Sequence, residues 1–406
     1  MLASGPGTLA ADSPASAVDW SKVATDLSSD SYRTREGGAA GVGGASWKDL
    51  PTLQALAKAS KDPEQAERLR HQVDALEEAI LVDPPPITVT AKDLPVSDIL
   101  GMLSVTTGKQ LVLWQENEVG RSYRYSLDAH EAAFWDVMLA LNKQHDLPMF
   151  DHPMQPGAFI VWNLGLYGWK GAVKTERPSV IAIPERIEQL KSLVLQPGAA
   201  PDTRVTFQYF LAFDPRLTVI GENTSLYDIT DERGQVIVKE EPRASEFFWT
   251  DEPKNIRRCT AEFVLPEGTG KRLSHLKGIA SYCLQVTSEK QEIEDIDTWG
   301  DAVFEVAGMR VWIGRFRVGE GEVRFDVHSS TRVDPPTRTD DNGLHVRVFD
   351  GGGRELANVW SKTGARWNFL EGCPFDAKGP YRVTVEGPGK VLKRTVHFEF
   401  QDVPLP

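Results

Sequence analysis

The stretch PEGTGKRL, residues 266–273, contains Gly-Thr-Gly-Lys, residue types that elsewhere cradle phosphate. A phosphate loop also needs a glycine where Leu265 stands and a Ser or Thr where Arg272 stands, so the stretch reads as a hairpin turn. HEAAF, from His130, begins as a zinc-protease helix does, but Phe134 holds the position of the second ligating histidine. His130 is therefore expected to begin an ordinary helix. His145, Asp146, Asp151 and His152 are metal-ligating types, yet LPMF between them reads as a strand that would hold the pairs apart. Glu292, Glu294, Asp295 and Asp297 in EKQEIEDIDTW lack the glycine-punctuated spacing of a calcium loop and read as a solvated acidic linker. Cys259, Cys283 and Cys373 have no metal-ligand spacing and are too few for a disulfide framework. Cys259 and Cys283 lie in strand-like segments that could face one another across a sheet; three buried thiols is the reading preferred. No Ser-His-Asp or Cys-His arrangement has local support. No catalytic residue, metal or cofactor is assigned, and the chain is expected not to be an enzyme.

One stretch suggests binding. In SEFFWTDEPKN, Phe247, Phe248 and Trp249 sit between charged residues in an expected loop. Adjacent residues of a strand face opposite sides, so these three cannot all enter one core from a strand. They are the candidate contact patch for a partner or a sugar. The competing reading is a plug between sheets or against the preceding domain.

The elements that carry such a patch are read from length and periodicity. A chain of 406 residues exceeds one core and should form several domains. Its 41% hydrophobic and 25% charged residues are globular proportions, and a net charge of −13 disfavours nucleic acid and anionic lipid. No apolar run approaches the roughly 18 residues of a membrane span. MLASGPGTLAADSPAS has no basic or apolar region of a signal peptide, but its small residues resemble the cleavage end of one. Residues 1–19 thus read as a disordered leader or the remnant of an export signal.

Residues 20–82 carry helical periodicity. Leu50, Leu53, Leu56 and Ala57 form one stripe; Ala66, Leu69, Val73, Leu76 and Ile80 form another. Asp62 before Pro63, with Gln65 following, has capping-box spacing. LSSDSYRTRE followed by LPTLQALAKASKDPEQAERL resembles a short run of HEAT-type repeats. GGAAGVGGAS, however, stands in the place of a repeat helix. Each glycine there costs about 1 kcal/mol of helix propensity, which argues for a loop and a hairpin too short for a solenoid.

After VDPPP, the period switches within ITVTAKDLPVSDILGML from 2 to 3.6. Strand, helix, two strands, helix and two more strands then fill 87–163. ITVTAKDLPVSDILGMLSVTTGKQLVL, YSLDAHEAAFWDVMLALNKQHDLPMF and FIVWN together resemble the short N-terminal domain of secretins and TonB-dependent receptors. That likeness implies an α+β docking module of the bacterial envelope without catalysis. Nothing like a secretin pore or receptor barrel comes after it.

The remaining residues read as all-β. VTFQYFLAFDP from Val205 recurs from Val323, DITDERGQVI around Asp231 recurs around Asp350, and LKGIASYCLQV from Leu276 recurs from Leu392. The near-constant offsets of 118, 119 and 116 residues argue for a duplication. Two tandem immunoglobulin-like sandwiches are expected, 168–297 and 298–406. The whole order, with its terminal VHFEFQDVPLP, also resembles uncharacterised exported bacterial proteins. The reading is a multidomain, exported, periplasmic or envelope-associated protein that binds or scaffolds a protein partner or oligomerises. The alternative is a carbohydrate-binding or carbohydrate-processing protein whose carboxylates converge only in three dimensions.

Overall fold

The computed structural model describes residues 19–29, 31–43, 45–113, 124–144, 149–151, 158–161, 171–192, 202–239, 248–249, 255–299, 301–319, 322–329, 344–356, 360–363, 366–369 and 378–406. Two units are distinguished, Met1–Pro85 and Pro86–Pro406.

The first unit is helical: α1 (Trp20–Leu27), α2 (Tyr32–Gly43), α3 (Leu50–Ala59) and α4 (Pro63–Val82). The glycine-rich stretch expected as a loop belongs to α2 as far as Gly43. Tertiary packing overrides propensity there. A Cβ on Gly38 would lie 3.0 Å from the Leu27 nitrogen, and one on Gly41 would lie 3.1 Å from a Val23 methyl. Glycine thus lets α2 pack closely on α1. Asp62 caps α4 by accepting from the Glu64 amide at 2.9 Å. Gln65 does not complete the box; its amide donates to the Ala24 carbonyl and so ties α4 to α1. Asp49, buried, accepts from the Trp20 indole at 2.9 Å and from Ser46 N and Oγ at 2.9 and 2.8 Å.

The second unit opens with β1 (Ile87–Pro95), α5 (Val96–Thr107), β2 (Leu111–Leu113), β3 (Arg124–Ala132), α6 (Phe134–Gln144), β4 (Met149–Asp151) and β5 (Phe159–Val161). Strand β1 pairs antiparallel with β3, while β5 lies between β2 and β4. Gly108, at φ 67°, closes α5 in the left-handed conformation that glycine takes without strain. His130 lies on β3 rather than at a helix start, because the buried alternation of Tyr125, Leu127 and Ala129 carries the strand up to it. The core of this region runs on through Ile181, Ile183 and Ala212 of the adjoining sheet. The Trp135 indole donates to the Ser179 carbonyl at 3.2 Å, so the α+β segment and that sheet share one interior.

The β region comprises β6 (Val173–Lys174), β7 (Val180–Ser192), β8 (Asp202–Phe213), β9 (Val219–Asp231), β10 (Val236–Val238), β11 (Phe248–Trp249), β12 (Ile256–Val264) and β13 (Arg272–Gln285). It continues with β14 (Ser288–Ile293), α7 (Ile296–Trp299), β15 (Asp301–Val306), β16 (Met309–Gly319), β17 (Glu322–Ser329), β18 (His345–Phe349), β19 (Trp360–Thr363), β20 (Arg366–Phe369), β21 (Arg382–Pro388) and β22 (Val391–Pro404). One sheet has the order β10-β9-β13-β22, with β11 also on β9; a second has the order β12-β8-β7-β6. They pack face to face through aromatics. Tyr209 meets Phe398 and Phe400, Phe207 meets Phe400, and Phe213 meets Tyr282. A further pair of sheets, β14-β21-β18 and β15-β16-β17, shares a core of Val311, Ile313, Phe325, Val346, Val383 and Val385.

Two of the three sequence matches share part of their pairing, although β8 and β9 are internal to their sheets and β17 and β18 are terminal in theirs. β8 follows β7, and β17 follows β16, each as an antiparallel neighbour. β9 has β13 on one side and the returning β10 on the other, as β18 has β21 and the Glu355 bridge. The third match is different. The segments from Leu276 and Leu392 lie in β13 and β22, which are neighbours in one sheet. Sheet membership also crosses the expected 297/298 boundary. β14 joins β21 and β18, whereas β22 returns to β13. Gln285 pairs with Val391, Ser288 pairs with Pro388, and the register continues across the bend without insertion. Thus β13–β14 and β21–β22 form one bent two-stranded ribbon shared by both sheet pairs.

Candidate partner-binding site

The aromatic segment is placed by its main chain. β11 pairs antiparallel with the edge of β9, Phe248 opposite Glu222 and Trp249 opposite Gly221. Phe247 lies outside the described residues. After the segment, Asn255 fixes the chain. Its side-chain amide donates to the Asp214 and Leu217 carbonyls at 2.8 Å each, and its own carbonyl accepts from the Phe213 amide at 2.7 Å.

Inside the sheet that carries β11, Glu222 reaches across to Arg257 of β12 with 3.0 Å between Oε2 and Nε. The two side chains are 13% and 7% exposed, so this ion pair bridges the sheets within the interior. Tyr209 on β8 donates its hydroxyl to Thr224 Oγ1 at 2.9 Å, adding a second polar bridge. Burial, and then the Glu222 carboxylate, push the neighbouring Cys259 thiol up to about 12. That thiol stays protonated at neutral pH and is a poor nucleophile. Cys283 is also a buried free thiol, and no disulfide joins it to Cys259.

The other stretches resolve into local structure. The turn in PEGTGKRL links β12 to β13, strands of different sheets, and so is not a hairpin. The Gly270 amide donates to Asp231 Oδ2 at 2.7 Å and the Lys271 amide to Glu232 Oε1 at 3.0 Å, so these N–H groups are used within the protein. His130 contacts Asp128 at 2.9 Å on the surface of β3. The acidic stretch expected as a linker forms β14 and α7; Ile293 and Ile296 enter the core. Lys290 first, and then Arg382, hold the Glu292 carboxyl below its ordinary range. His145, Asp146 and His152 lie outside the described residues, as does Cys373. Among the described residues no three metal-ligating side chains gather, and no helix is long and apolar enough to cross a membrane.

Asp231 and Asp350 build the same turn. Each amide donates to the carbonyl four residues on, at 3.0 Å, and each Oδ1 accepts from two amides within the turn. Gly234 and Gly353 take φ of 79° and 78° and donate back to the aspartate carbonyl. The D-x-x-G spacing signalled these turns. The Glu222–Arg257 pair had no such signal, since each residue stands alone on its strand. The chain matches no family model, no curated protein and no solved structure.

Proposed function

We propose that the chain is a non-enzymatic binding or scaffolding protein of the bacterial cell envelope, with the segment around Phe247, Phe248 and Trp249 as its contact patch. The supporting observation is the pairing of β11, by its main chain, with the edge of β9, where Phe248 stands opposite Glu222 of the Glu222–Arg257 bridge. A rigid support of this kind lowers the ordering cost of binding. Engagement of the Gly270 and Lys271 amides, and the raised Cys259 thiol, favour a structural role for groups that elsewhere do chemistry.

The strand–helix order of 87–163 supports a docking module of the secretin and TonB-receptor type. The repeated aspartate turns support two immunoglobulin-like halves, joined by the shared ribbon. The small-residue leader favours export. The test is capture from native envelope fractions, using wild-type protein and the Phe248→Ala, Trp249→Ala double variant as baits. A protein retained by the first and lost by the folded second is expected; identical capture by both removes the patch.

A further inference from the structure

β22 is the edge of its sheet. Its other side carries β13 from Arg272 to Gln285 in unbroken register, and among the described residues no strand is hydrogen-bonded to its outer side, although β6 and β7 come near it and Glu176 lies 3.8 Å from His397. An edge strand of this length exposes alternate N–H and C=O groups and is a template for pairing. We propose that this edge joins a second copy of the chain, antiparallel, with a two-fold axis at Val396, so that the sheet continues from one protomer into the other.

Two features of β22 fix that register. The regular stretch runs from Val391 to Gln401. It is bounded by the bend at Gly389–Lys390 and by Asp402, which takes a left-handed φ of 53°. Val396 is its centre. A two-fold there sets Lys393 opposite Glu399 of the second copy and Thr395 opposite His397, each pairing occurring twice. All four lie on the solvent-facing side of the strand, while Val396, Phe398 and Phe400 are buried on the other. Opposite charges directly across an antiparallel pair stabilise it, and like charges oppose it. Glu399 is already held by His275 of its own chain and accepts from Gln401 at 3.4 Å, so it is preset in position for the incoming ammonium. A cleft of about 600 Å³, lined by Ala172, Val173, Pro184 and the end of β22, opens at the same edge. A C₂ contact of this form is isologous and closes at two copies. It does not depend on what the aromatic segment binds.

The test is sedimentation of the full chain across a concentration series. The wild type should self-associate to a dimer and no further. Lys393→Glu sets carboxylate against carboxylate at both contacts and should weaken association at least tenfold; adding Glu399→Lys reverses both charges and should restore it. A wild type that stays monomeric throughout, or a Lys393→Glu dimer as tight as wild type, overturns the proposal. Should the variants fail to fold, amide exchange of the wild type decides. Protection within 391–401 should rise with protein concentration, and concentration-independent exchange there contradicts the interface.

Discussion

Thr287 and Gly389 face one another at the bend of the shared ribbon. The Gly389 amide donates to the Thr287 carbonyl at 2.8 Å, and the Lys390 amide donates to Thr287 Oγ1 at 2.8 Å. The ladder therefore turns from one sheet pair into the other while remaining hydrogen-bonded. A Cβ on Gly389 would lie 2.6 Å from Thr287 Oγ1. Gly389→Ala is expected to cost about 1–3 kcal/mol, as overpacking does. Urea unfolding measures it, and an unchanged midpoint would show that the bend tolerates a side chain.

The same ribbon predicts that the two halves do not fold apart. A fragment ending at 297 loses β22 from the edge of β13, and one beginning at 298 loses β14 from the edge of β21. Each leaves buried faces without cover. Neither piece should show the unfolding cooperativity of the parent, and mixing them should restore part of it. Cooperative unfolding of either fragment by itself would contradict this.

The glycines of α2 should divide by position. Gly37 has nothing within 4 Å of where its Cβ would stand, whereas Gly38 has the Leu27 backbone at 3.0 Å. Gly37→Ala should stabilise by about 0.5–1 kcal/mol through helix propensity. Gly38→Ala should destabilise despite the same propensity gain. Thermal melts of the two variants decide, and equal shifts would refute the close approach of α1 and α2.

Breaking the Glu222–Arg257 bridge should be costly. Arg257→Ala leaves a buried carboxylate without its counter-charge, worth about 3–5 kcal/mol in comparable interiors. Replacing both residues with apolar ones should recover most of that loss. A single variant with wild-type stability would show the pair to be solvated.

Acid should act through the aspartate turns. Hydrogen bonds, led by the Gly270 amide for Asp231 and the Arg354 amide for Asp350, hold both carboxyls below the ordinary carboxylate range. A depressed folded-state pKa contributes stability that is present above the unfolded value, about 3.9, and lost as pH falls through the folded one. Stability should therefore decline below about pH 5. Asp231→Asn places an amide donor against the Gly270 amide or loses an acceptor, so it should lower stability at neutral pH and flatten the acid decline. A parallel, unflattened decline would assign the acid response elsewhere.

Local pattern carried much of this architecture and long-range pairing carried the rest. The stripe Ala66, Leu69, Val73 and Leu76 is the buried face of α4, and Asp62 caps it as its spacing implies. The D-x-x-G turns were legible because their chemistry lies within five residues. His130 was misplaced because a short apolar run fits either period. The helix through the glycine-rich stretch depends on α1, which that segment's own residues do not record. The exchange of β14 and β22 was hidden for the same reason: alternation shows that a strand exists, not which strand it joins. Glu222 and Arg257 meet only because β9 and β12 stack.

The proposed binding role stands on Phe248 and Trp249 serving contact rather than the core. The melting curve of the purified Phe248→Ala, Trp249→Ala variant beside wild type decides between the two. Contact residues predict a midpoint nearly unmoved, since surface changes stay within about 0.5 kcal/mol. A drop of many degrees, as cavity formation of several kcal/mol produces, would place both rings in the core and contradict the contact patch.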